Sequence, residues 1–225
     1  MSTGLTPSVS RISLTQIDAT SLQSLALRML ESNHPHSALH YAQQLHKLSK
    51  STADGILCAR CHYLADEKRR CLGVLEHLGY LGADAVQAIR EGSPEGQDFL
   101  TAIALAAQCL LDLEQFDDCI ELVDPLMGVD RFKAGQVFAS DGARKFASLY
   151  FTLGKCYDST DNRNKAIRFL VKAVQTDPFL IEAAEYLMSR SLLTPKQKTS
   201  LLQELEVEFQ QETSLLEHYK YNSYD

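Results

Sequence analysis

Small residues recur along the chain in pairs 12 positions apart, inside segments whose apolar residues follow the period of an α-helix. Four pairs share this spacing: Ala26 and Ala38, Ala59 and Cys71, Ala107 and Cys119, and Gly154 and Ala166. Residues that favour turns, such as Asn33-His34-Pro35, separate the two members of a pair. The pattern predicts pairs of antiparallel helices, because small residues at these positions allow the helix axes to approach closely.

Segment 147–180 carries this pattern most completely. Laid on a helix–turn–helix period of about 34 residues, it has an acceptable residue type at every key position of a tetratricopeptide repeat, or TPR. These positions are Tyr150, Leu153, Gly154, Tyr157, Ala166, Leu170, Ala173 and Pro178. The resemblance implies an all-α fold, a TPR-type α-α superhelix in which antiparallel helix pairs form a solenoid.

The same pattern predicts the domain organisation. A TPR array spans residues 17–209, with repeats at about 19–52, 52–85, 100–133 and 147–180 and a partial repeat at 181–209. Three glycines mark residues 127–142 as an inserted loop, and a short extra helix is expected between the second and third repeats.

We interpret the flanking segments as unstructured. Residues 1–16 are rich in Ser and Thr and read as a disordered arm, and residues 210–225 form a polar and aromatic tail. Thr6-Pro7 is either a proline-directed phosphorylation site or an ordinary part of the arm. No capping helix is recognisable after the last repeat, which predicts that the array continues beyond this chain.

Composition narrows the function classes. The net charge of -7 lacks the basic footprint of a nucleic-acid-binding protein. No apolar run reaches about 18 residues, so no membrane span is expected. The first residues lack the apolar core of a signal peptide, and the six cysteines lie in helical segments, which indicates reduced thiols in the nucleus or cytoplasm.

One motif has the residue types of a cofactor site. Cys58-Ala59-Arg60-Cys61-His62 matches C-x-x-C-H, the attachment motif of c-type haem, and Cys58, Cys61, His62 and Cys71 are zinc-ligand types. However, these residues also lie at helix-packing positions, where buried Cys usually acts as a small apolar residue. We therefore expect no cofactor and no metal, and we predict that the protein is not an enzyme, because no phosphate-binding loop or nucleophile elbow is present.

The expected concave surface is the candidate site, since the first helix of each repeat lines it in TPR arrays. Its predicted apolar row consists of Leu27, Leu30, Ile56, Tyr63, Leu111 and Phe151. If exposed, such a row is a patch that monomers rarely tolerate, which favours a homodimer; alternatively, neighbouring repeats cover it. The Lys/Asn clamp of TPR modules that hold C-terminal carboxylates is missing, because Leu27, Arg60, Gln108 and Lys155 stand there instead.

Three segments extend the resemblance to one family. They are LGKCYDSTDNR at 153–163, Leu192-Leu193-Thr194 continuing into Lys198-Thr199-Ser200-Leu201-Leu202, and Ala59-Arg60-Cys61-His62-Tyr63. Together they resemble the repeat block of the TPR subunits numbered six in the anaphase-promoting complex, over roughly residues 19–210. The Asp158 to Arg163 turn is the most specific part, because generic repeats place Gly-Asp or Gly-Asn there.

This resemblance implies a function. The family provides non-catalytic scaffold subunits of a ubiquitin ligase that controls mitotic cell-cycle progression, in the nucleus and cytoplasm. Its N-terminal repeats pair two copies of the subunit, so a homodimer and other subunits of a large complex are the expected partners, without nucleic acid or membrane. The alternative is a TPR adaptor that binds peptides in the manner of a co-chaperone, against which the missing clamp counts.

Overall fold

The computed structural model describes residues 18–127, 141–190 and 192–206. The predictions for the arm at 1–16, for the tail at 210–225 and for most of the loop at 127–142 lie outside these ranges. Within them, every regular element is helical, which confirms the all-α prediction. The helices are α1 (Ala19–Glu31), α2 (Pro35–Ser49), α3 (Thr52–Leu64), α4 (Lys68–His77), α5 (Ala83–Glu91), α6 (Pro94–Asp112), α7 (Phe116–Val123), α8 (Asp141–Ser159), α9 (Arg163–Thr176), α10 (Ile181–Ser189) and α11 (195–206), with a 3-10 turn at Asp124–Leu126.

Four helix pairs share one turn, which joins α1 to α2, α3 to α4, α6 to α7 and α8 to α9. Each turn contains one residue with a left-handed backbone, seven positions after the first of the two small residues that are 12 positions apart. These residues are Asn33, Asp66, Glu114 and Asp161, with φ between 56° and 61°. The N–H of the following residue donates to the carbonyl five positions earlier at 2.8–2.9 Å. This Schellman arrangement satisfies the last carbonyls of the first helix and reverses the chain into the second helix.

The small residues lie where the paired helices touch, and all eight are buried. The Cys119 thiol in α7 donates to the Ala107 carbonyl of α6 at 3.6 Å. A Cβ atom added to Gly154 in α8 would lie 2.5 Å from Cγ of Leu170 in α9, so the close approach of this pair requires glycine.

Aromatic rings fill the space beside the Gly154 contact. Tyr150 and Tyr157 of α8 stack on Phe169 of α9, with ring centroids 6.3 and 5.5 Å apart. The ammonium groups of Lys165 and Lys172 lie 4.7 and 4.6 Å above the Tyr157 and Tyr150 rings. Both tyrosines are therefore buried between neighbouring helices.

The cysteines link successive helix pairs as core residues, and all six are free and buried. Cys71 of α4 forms a thiol hydrogen bond with Cys109 of α6, and Cys119 of α7 forms one with Cys156 of α8. These hydrogen bonds, followed by burial, raise the pKa of Cys71 and Cys119. Cys71 and Cys119 therefore pack between the repeats as neutral thiols that act as small apolar groups.

Helix α5 interrupts the regular pairing. It packs on α6 and on the 3-10 turn, where Nη2 of Arg90 donates to the carbonyl oxygen of Pro125 at 2.8 Å. Gly92, with φ 70°, ends α5. Gly96, in the first turn of α6, lies so close to Ala88 that an added Cβ would be 2.6 Å from the Ala88 carbonyl oxygen. The two glycines thus hold α5 against the start of α6.

The last described helix begins with a capping box formed by Thr194 and Gln197. The N–H of Thr194 donates to Oε1 of Gln197 at 2.9 Å, and the N–H of Gln197 donates to Oγ1 of Thr194 at 3.4 Å. Leu201 and Leu205 of this helix are buried in the same apolar cluster as Leu187 of α10. The C-terminal helices therefore extend the core of the preceding pair.

Candidate interaction surface

The structure divides the predicted apolar row into exposed and buried members. Leu27 of α1 is 42% exposed, and Leu30, Tyr63 and Phe151 are half-buried. Ile56 and Leu111 are only 8% and 9% exposed.

Ile56 and Leu111 therefore follow the alternative in which neighbouring repeats cover the row, and exposure is wrong for these two residues. Ile56 of α3 belongs to the apolar cluster that contains Ala102 and Ala106 of α6, and Leu111 of α6 belongs to the cluster with the α8 residues. Both side chains are covered by neighbouring helices of the same chain, because α3 packs on α6 and α6 packs on α8.

Tyr63 joins the second and third helix pairs. Its hydroxyl donates to Oδ2 of Asp112 at 2.9 Å, and Nε2 of Gln108 donates to Oδ1 of the same carboxylate at 3.0 Å. Burial, and then the hydrogen bond with Asp112, raise the pKa of Tyr63 to about 12. The phenol therefore acts as a neutral donor that fixes α3 to α6, while its half-exposed ring remains part of the surface.

Phe151 lines an open concavity between α8 and α10, with a volume of about 840 Å³. Tyr186 contacts the Phe151 ring edge-on, with centroids 6.0 Å apart, and Nζ of Lys155 lies 5.3 Å above that ring. The Tyr186 hydroxyl donates to Oδ2 of Asp158 at 2.8 Å, and Nε of Arg190 lies 3.3 Å from the same oxygen. The predicted apolar row did not include Tyr186, because it was drawn from the first helices of the four full repeats, whereas α10 begins the partial repeat at 181–209.

The residues of the C-x-x-C-H motif have separate environments. Nδ1 of His62 lies 2.7 Å from Oε2 of Glu67 in the turn before α4, and Cys58, Cys61 and Cys71 are buried. Burial raises the pKa of Cys61 to about 12, whereas a thiolate is the form that ligates a metal. Across the described ranges, no group of three or more His, Cys, Asp or Glu side chains is placed to hold a metal ion.

The His62–Glu67 contact predicts a pH dependence. The hydrogen bond from His62 holds the pKa of Glu67 below its ordinary value of 4.5. Nη1 of Arg70, which donates to Oε1 of Glu67 at 2.9 Å, lowers this pKa further. A lowered carboxylate pKa stabilises the fold above the unfolded-state pKa, and this stability is lost as the pH falls through the folded-state pKa. Glu67→Gln should therefore lower the melting temperature at about pH 7, and the difference from wild type should shrink as the pH falls below 4.5.

Thermal unfolding followed by circular dichroism at several pH values measures this difference. Glu76→Gln is the control, because this exposed carboxylate of α4 has no ion-pair partner within the described part of the chain. A difference between wild type and Glu67→Gln that stays constant with pH would assign the effect to packing instead of charge.

The fold and its surface define the class of protein. Stacked antiparallel helix pairs with a common turn and spacing form a TPR-type α-solenoid, whose helix faces offer extended contact area. A solved structure described as the hetero-tetramer of Cut9 and Hcn1 from the anaphase-promoting complex shares this fold. Its TM-score is 0.62 at 18% identity, and the match covers 81% of this chain and 31% of that chain.

Sequence relatives point to one subunit of that complex. The chain is 29% identical over 181 residues to anaphase-promoting complex subunit 6 from Arabidopsis thaliana, a match that covers 76% of this chain and 31% of the relative. It is 24% identical over 232 aligned residues to anaphase-promoting complex subunit CDC16 from Saccharomyces cerevisiae, covering 92% of this chain and 26% of the relative. The resemblance to subunit six is thereby confirmed.

Two further findings concern the extent of this similarity. No protein-family profile matches the chain, and the chain spans about a third or less of the length of these two curated relatives. None of the helices in the described residues is both long and apolar enough to cross a bilayer.

Proposed function

We propose that the chain is the N-terminal repeat region of a non-catalytic scaffold subunit of the anaphase-promoting complex. In this role it holds other subunits of a ubiquitin ligase that controls mitotic progression, in the nucleus and cytoplasm. The observation that carries the proposal is the similarity to subunit six, which extends over 76% of the chain. The solenoid supports it, because stacked helix pairs present a large surface for protein contacts.

The proposal includes self-association through the first repeats. Leu27 is 42% exposed, and Leu30 beside it is only partly covered by the cluster around Ala26. A two-fold interface would bury this surface against its copy, and aliphatic burial contributes about 25 cal/mol per Å² of apolar area. Tyr63 and Phe151 retain partly exposed rings farther along the array and are proposed to extend the contact.

Purification from the cells that make the protein tests the assignment. A tagged copy, expressed at its native level, should co-purify with other subunits of the anaphase-promoting complex, and the purified assembly should attach ubiquitin to a mitotic substrate. Untagged cells processed in parallel are the control. Recovery of the tagged protein without these subunits and without ligase activity would contradict the proposal.

A peptide-binding adaptor remains the second candidate, because the Phe151–Tyr186 concavity is open and partly aromatic. This candidate predicts that the purified protein is recovered with chaperones instead of ligase subunits. Phe151→Ala would then release them, whereas the scaffold assignment predicts that the ligase subunits stay bound.

A further inference from the structure

The inserted helix α5 leaves a second cavity, which is distinct from the concave row. It has a volume of about 980 Å³ and opens between α4, α5 and α7 over the side of α6. Helix α5 is anchored to α6 and, through the Arg90–Pro125 hydrogen bond, to the 3-10 turn. The space between α5 and the two second helices α4 and α7 therefore stays open.

The floor of this cavity is apolar. Half-buried aliphatic side chains from four elements meet there above the buried Leu110 of α6. They are Leu72 of α4, Leu81 of the following turn, Val86 of α5 and Leu122 of α7. Partial exposure of these side chains in one concavity leaves apolar area that a bound segment would remove from water.

The rim of the cavity is acidic. Glu76, Asp118 and Glu121 are exposed along it, and Glu76 and Glu121 have no ion-pair partner in the described part of the chain. Among the described residues that line the cavity, Arg90 is the one basic residue, and its charge leaves the three carboxylates in excess. An occupant is therefore favoured by positive charge beside its apolar groups.

We propose that this cavity binds an amphipathic, basic segment of another protein, with aliphatic side chains on the floor and Lys or Arg beside Glu76 and Glu121. A protein segment fits better than a small molecule, because the cavity is open on one side and its free polar groups stand on the rim instead of converging inside. None of its lining residues belongs to the predicted dimer row, so the inference does not depend on self-association.

Two synthetic 15-residue peptides test the proposal. Both carry Leu at i, i+3, i+4 and i+7, and the remaining positions are mainly Lys in one peptide and Glu in the other. Fluorescence anisotropy against the whole 225-residue chain should show saturable binding of the Lys peptide and at least about tenfold weaker binding of the Glu peptide. Absent or equal binding of the two peptides would overturn the proposal.

Variants locate the binding. Glu121→Lys should weaken binding of the Lys peptide by about tenfold. Asp117→Lys makes the same charge change on α7 outside the cavity lining, and it should change this affinity by less than about twofold. Val86→Gln removes apolar contact area from the floor without altering the net charge, and it should weaken binding of the Lys peptide by about tenfold. Equal losses of affinity for the Lys peptide in Glu121→Lys and Asp117→Lys would show general charge attraction and would refute the site. The comparison of these two variants tests the proposal even if Val86→Gln fails to fold.

Discussion

Replacing Gly154 with alanine is expected to destabilise the protein by about 1–3 kcal/mol. The new Cβ would lie 2.5 Å from Cγ and 2.6 Å from Cδ2 of Leu170, and 3.3 Å from the Leu170 backbone nitrogen. Leu170 is fully buried, so it cannot move aside without displacing its neighbours. Overpacking should therefore exceed the gain of up to about 1 kcal/mol that alanine brings to a helix interior.

Gly73 supplies the matched control for this prediction. It also lies inside a helix, α4, but it is exposed and a Cβ there would meet nothing within 4 Å. Gly73→Ala should stabilise the protein by about 0.5–1 kcal/mol, because only the helix propensity changes. Chemical denaturation of both variants measures the two effects, and the same sign for both would show that the Gly154 contact is not as close as described.

The helix pairs could be predicted from sequence because their packing needs small residues at one fixed spacing. Ala26 with Ala38 and Gly154 with Ala166 mark the contact positions directly, and the resulting pairs form in the structure. The left-handed turn that the four helix pairs share was harder to predict from the sequence. Asn33, Asp66 and Asp161 are types that tolerate a left-handed backbone, but Glu114 is not, and its conformation follows from the two flanking helices.

The candidate surface was only partly predictable. A helical period identifies the apolar side of α3 and α6. It does not say whether a residue on that side faces the concave surface or packs against the first helix of the following pair. Ile56 and Leu111 face neighbouring helices, whereas Leu27, in the first described helix, has no preceding repeat in the described residues to cover it. The cavity beside α5 was not foreseen either, since it depends on how an unpaired helix packs.

Leu27→Glu is expected to convert a dimer of the chain into a monomer. Two copies of the 25.1 kDa chain should give twice that mass by light scattering at micromolar concentration. A two-fold interface uses the same surface on both copies, so one substitution places two carboxylates in it. Each unpaired charge in a desolvated surface costs several kcal/mol, against about 12 kcal/mol for an entire nanomolar association.

The position of Leu27 makes this variant more decisive than one in the core. Because the side chain is 42% exposed, the monomer should keep its helical circular dichroism spectrum and its melting temperature should change little. Leu48→Glu is the matched control, since Leu48 is 64% exposed in α2 and lies outside the predicted row. Wild type should be dimeric, Leu48→Glu should remain dimeric, and Leu27→Glu alone should be monomeric. A dimer that survives Leu27→Glu would place the interface elsewhere, and a wild-type monomer at every concentration would remove self-association from the proposed function.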